Sequence, residues 1–143
     1  MDSFDEHVLQ AIKSSGLPIV ILRSETSPHG SQFAEAIGQC QPLTFRFLRE
    51  HLRDFLELSP FEHSAGPYYS WMDFEIAFGW RTVESAATGG KYRSLDDLLG
   101  QIAHRWDLLA EQLRGGPEAS GWERVAAARS RRAAAMRAAF QRR

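Results

Sequence analysis

A lone cysteine, Cys40, and five histidines, His7, His29, His51, His63 and His104, have the widest chemical reach in this 143-residue sequence. One cysteine excludes an internal disulfide and any two-cysteine redox or metal motif within the chain. Cys40 follows an expected helix instead of leading it, away from the partial positive charge that lowers a thiol pKa, so it reads as an inert thiol. No two histidines have the spacing that sets two metal ligands on one helical face. Glu50-His51 and Glu62-His63 pair acid with base in sequence only, because adjacent helical residues do not face each other. His29 stands apart: it follows Pro28 at an expected strand-to-helix edge, where open α/β sheets hold their ligand crevices. A ligand or partner contact is expected there, and a catalytic version of the site would draw on Glu25 or Asp73. Ala87-Thr88-Gly89-Gly90-Lys91 lacks the first glycine and the trailing Ser or Thr of a phosphate loop, and no Gly-x-Ser-x-Gly elbow occurs. These residues form no catalytic constellation and imply no cofactor and no metal.

Two other features suit binding. The aromatic stretch from Tyr68 to Trp80 carries more large rings than one face of a small sheet buries, so Phe74, Phe78 and Trp80 are expected in the core. Tyr68, Tyr69 and Trp71 are then left as apolar anchors for a partner. Charge is also uneven. Residues 120–143 hold seven arginines against Glu123 alone, whereas the rest holds ten Lys or Arg against seventeen acids. An acidic body repels phosphate within a Debye length, so nucleic acid is a poor partner for the basic tail. Docking of the tail, through residues such as Arg129 and Arg132, onto an acidic protein surface fits the asymmetry better.

The elements that must position these residues follow from spacing. Ser3 and Glu6 form a capping box for a helix with Phe4, Val8, Ala11 and Ile12 on one face, ending before Gly16. Ile19-Val20-Ile21-Leu22 reads as a central strand covered on both faces. Ser31 caps an expected second helix through Phe33, Ala34, Ala36 and Ile37. A strand over 43–48 is expected to run into a helix over 49–58. Tyr68 to Val83 alternates as a strand, or as a hairpin turning near Gly79. Ser94 and Asp97 cap an amphipathic helix from Leu95 to Arg114. After Gly115-Gly116-Pro117, Ser120 opens an alanine- and arginine-rich helix with a weak apolar stripe. The division is one α/β domain over 1–114 and a basic helical extension over 115–143. Composition, at 43% hydrophobic and 24% charged, excludes disordered and fibrous classes. Apolar runs too short for a bilayer lead to the expectation of a soluble, cytoplasmic chain with no membrane partner.

This order of elements resembles the thioredoxin-like fold, best over residues 3–39. Phe4-Asp5-Glu6-His7-Val8-Leu9 ahead of Pro18-Ile19-Val20-Ile21-Leu22 looks like that family's opening helix and first core strand. Ser27-Pro28-His29-Gly30 looks like the Cys-Pro-His-Cys loop of disulfide oxidoreductases with both cysteines replaced, and Pro67 stands where the family keeps a cis-proline. The resemblance implies a thioredoxin-like central sheet flanked by helices, and a peptide-holding groove near Ser27, Pro28, His29, Gly30 and Pro67. Redox chemistry is lost with the thiolates. The implied role is non-catalytic: a protein-binding, chaperone-like or maturation factor. An acidic inhibitor or immunity protein that blocks a toxin enzyme is the alternative.

Overall fold

The computed structural model describes residues 3–26, 33–87 and 93–141. Ser3 opens the first helix as its sequence implies: the hydroxyl accepts the Glu6 amide, and α1 (Phe4–Ser15) ends at Gly16 with φ 77°. Strands β1 (Val20–Thr26), β2 (Phe33–Cys40), β3 (Leu43–Glu50), β4 (Arg53–Pro60) and β5 (Tyr69–Ser70) then form one sheet in sequence order. Every pairing is antiparallel. Helices α2 (Trp71–Ala77), α3 (Val83–Ala87), α4 (Leu95–His104), α5 (Trp106–Gln112) and α6 (Ser120–Gln141) follow. The chain is α/β, with helices flanking the sheet and a long C-terminal helix.

Several expected elements are corrected. Residues 33–40 are a strand, not the helix suggested by their alanines. Pairing to β1 on one side and β3 on the other overrides alanine's helical preference. The small residues Ala34, Ala36 and Gly38 alternate toward the core, and a Cβ on Gly38 would lie 2.8 Å from Ile19 Cγ2. The expected helix over 49–58 is a hairpin and strand. His51 and Leu52 take φ 50° and 67°, which turns β3 directly into β4 and leaves Leu52 exposed. The helix–strand–helix order behind the thioredoxin-like resemblance is thus replaced by four consecutive antiparallel strands, β1 to β4. Ile19 to Leu22 is not central: β1 lies at the edge of the sheet, with Val20 and Leu22 exposed.

The expected strand from Tyr68 ends after two residues, because Ser70 and Asp73 form a capping box that starts α2. The expected helix over 95–114 breaks at Arg105 (φ −106°, ψ 16°), whose guanidinium lies 3.9 Å from the centre of the Trp80 ring. Beyond the break Trp106 stacks on Phe45.

One core joins all of this. Leu43, Phe45, Phe47, Leu56 and Leu58 face the helices, and each such burial contributes roughly 1.5–3 kcal/mol. The C-terminal helix belongs to the same core through Trp122, Val125 and Ala128. Its approach is close: a Cβ on Gly121 would sit 2.3 Å from the Gln112 carbonyl oxygen, so only glycine fits there.

Candidate protein-binding face

Strand register divides the sheet into two unlike faces. The core face carries the rings above together with Arg49 and Asp54, paired across β3 and β4. The other face carries Arg23, Glu25, Phe33, Glu35, Ile37, Arg46, Leu48, Phe55 and Glu57. Ile37 and Leu48 are buried yet lie outside the main core cluster, beneath a ladder of charge. Arg46 Nε donates to Glu35 Oε2 at 2.8 Å and Nη1 to Glu57 Oε1 at 3.2 Å, while Arg23 stands 3.9 Å from Glu35. The ladder therefore crosses all four long strands. Phe33 and Phe55 flank it, each 40% exposed.

Residues 61–68 fold over one end of this face. Ser59 Oγ donates to the His63 carbonyl, and the Tyr68 hydroxyl donates to the Ser64 carbonyl. The Tyr68 ring lies 5.2 Å from the Arg46 guanidinium carbon. Burial raises the Tyr68 pKa, and the Arg46 charge partly opposes it. From the same face a groove of about 600 Å³ wraps around the side of β4, where β5 pairs only at Glu57 and Leu58. Arg46, Leu48, Phe55, Met72, Arg93 and Leu98 line it. Arg93 is held by Glu75, at 2.6 and 3.1 Å, and by Gln101 Oε1 at 2.8 Å. The result is an apolar floor of Leu48, Phe55, Met72 and Leu98 edged by Arg46 and Arg93, whose guanidinium groups are paired with carboxylates of the chain.

The sequence-expected site residues are distributed unevenly. Ser27, Pro28, His29 and Gly30 lie outside the described residues, as does the Thr88 to Lys91 stretch. The Gly66–Pro67 bond is cis, and the Tyr68 ring lies against Arg46 of the outer face. Tyr69 instead packs on Trp122. Trp71 is 2% exposed and donates its indole N–H to Gln101 Oε1, so it is no surface anchor. It sits in the first turn of a helix, where strand alternation does not apply. Asp73, the candidate catalytic acid, is fully buried. It accepts the Ser70 amide at 3.1 Å and Arg132 Nε at 2.7 Å. Arg132 and Arg129, expected to reach a partner, are engaged within the chain, since Arg129 lies over the Tyr69 ring and donates to the Tyr68 carbonyl.

Two clusters went unseen in the sequence. His7 Nδ1 lies 2.6 Å from Asp54 Oδ2, and Arg49 Nε donates to the other Asp54 oxygen at 2.7 Å, which ties α1 to the β3–β4 hairpin. Nothing in the spacing of residues 7, 49 and 54 announces that contact. The Glu35–Arg46–Glu57 ladder was likewise hidden, because it appears only once β2 and β4 are known to flank β3. Cys40 is half-buried, and burial raises its pKa, in keeping with an inert thiol. Among the described residues no helix is long and apolar enough to cross a membrane.

Comparison with known proteins adds no identification: no family model matches the chain, and neither a curated protein nor a solved structure shows significant similarity to it.

Proposed function

We propose that this chain is a non-catalytic protein-binding module that holds its partner on the outer face of the sheet. One observation carries this reading: the half-exposed rings of Phe33 and Phe55 flank a charge ladder that is satisfied internally. A face of this kind offers apolar area and fixed polar groups without a desolvated lone charge, which suits a protein surface. The groove beside β4 adds a recess for a partner side chain. A chaperone-like or maturation role is the form of this activity that the sequence favours.

Affinity capture from the native host tests it, using the full chain and the Phe33→Asp and Phe55→Asp variants. Retention of a stoichiometric partner by the wild type, with loss in both variants at unchanged fold, supports the reading. Equal retention by all three contradicts it.

Asp96, Asp97, Asp107 and Glu111 are exposed along α4 and α5 and favour a second reading, inhibition of a basic enzyme through an acidic surface. In that case capture weakens steeply with salt and survives Phe55→Asp.

A further inference from the structure

We propose that β1 pairs antiparallel with β1 of a second copy of this chain, joining two sheets edge to edge. β1 is the outermost strand; β2 lies on one side of it, and no strand among the described residues lies on the other. An edge of this kind is a template for another strand unless charge, proline or a bulge blunts it. Here the blunting is incomplete. A bulge falls at Leu22, between Ile21 and Arg23, and beyond it Arg23, Ser24, Glu25 and Thr26 pair regularly with β2. Val20 and Leu22, 62% and 53% exposed, leave apolar surface beside the open edge.

Charge selects the occupant. The β1–β2 register sets Glu25 directly opposite Glu35, a like-charge arrangement that destabilises a sheet. Glu35 is served by Arg46 at 2.8 Å and by Arg23 at 3.9 Å, whereas no cation among the described residues forms an ion pair with Glu25. A second β1 supplies one. In an antiparallel pair with its two-fold axis at Ser24, Arg23 of each copy faces Glu25 of the other, so two ion pairs form at once. Shifting the axis by one residue sets Arg23 against Arg23 or Glu25 against Glu25. The alternation Arg23-Ser24-Glu25 thus makes this strand complementary to itself in one register. The inference stands on the edge of the sheet; Arg23 also ends the ladder of the partner face, so Phe33→Asp and Phe55→Asp, which leave β1 unchanged, should abolish partner capture and spare the dimer if both readings hold.

Sedimentation equilibrium of the full chain, from the low micromolar to the submillimolar range, tests it. A reversible monomer–dimer equilibrium is expected. Arg23→Glu and Glu25→Arg should each weaken it by about tenfold or more, and the doubly reversed chain should recover the wild-type constant. Glu25→Arg also separates pairing from folding. It removes the Glu25–Glu35 opposition, so the monomer's thermal midpoint should hold or rise while the dimer weakens. A chain that stays monomeric at every concentration overturns the inference. So does a dimer indifferent to both reversals, or a double variant no better than the singles.

Discussion

Arginine does different work on the two sides of this molecule. On the helical side Arg132 meets a fully buried carboxylate, Asp73, and Arg49 grips Asp54, which is nearly as buried. On the outer face Arg46 spans Glu35 and Glu57 in half-exposed surroundings. A buried carboxylate depends on its partner, because removing the cation strands a charge in a low-dielectric interior. A solvated ladder depends much less on any one member, since water screens what remains. The inner pairs therefore hold the fold together, and the outer ones shape a surface.

Removing the inner partner is the strongest way to break that contrast. Arg132→Ala should cost about 3–5 kcal/mol in urea unfolding, because Asp73 is left buried without a cation. Close approach of α6 gives the next effect. Gly121→Ala should cost about 1–3 kcal/mol, since a Cβ 2.3 Å from the Gln112 carbonyl forces backbone apart. On the outer face Arg46→Ala should cost about 1 kcal/mol or less by the same urea assay. A loss as large as that of Arg132→Ala would erase the distinction between the two sides.

The smallest effect sharpens it. Burial raises the Tyr68 pKa above the usual 10.0, so the folded chain favours the neutral phenol. Tyr68 then contributes its full stability below that value and loses it as pH rises through the folded pKa, because the unfolded chain gives up the proton first. Arg46 opposes the shift, so Arg46→Ala should move phenolate formation to higher pH. Ultraviolet difference titration against Tyr68→Phe measures this.

The opening helix and the start of α4 were legible because Ser3 with Glu6 and Ser94 with Asp97 are local capping signals. Ser70 with Asp73 is the same signal, masked by an aromatic alternation that suggested a strand. β2 was hidden because its small residues answer to packing remote in sequence, as at Gly38, where a side chain would meet Ile19. The β3–β4 hairpin was hidden because His51-Leu52 adopts positive φ without the Asn or Gly that normally marks such a turn. The outer face was only half legible. Pro67 was singled out by the thioredoxin-like resemblance and Tyr68 by the aromatic run, but Phe33, Arg46 and Phe55 meet only through strand register. Arg129 and Arg132 looked available because the buried Asp73 that orders Arg132 stands 59 residues away.

Hydroxyl-radical footprinting of the chain, free and bound to its captured partner, tests the central claim most directly. Side chains of the outer face should lose reactivity on binding, above all Phe33, Phe55 and Tyr68. Leu108, Met136 and Phe140, which are exposed on the helices, should stay as reactive as in the free chain. Protection of those three helical side chains, with Phe33 and Phe55 unchanged, would contradict the assignment of the outer sheet face as the binding surface.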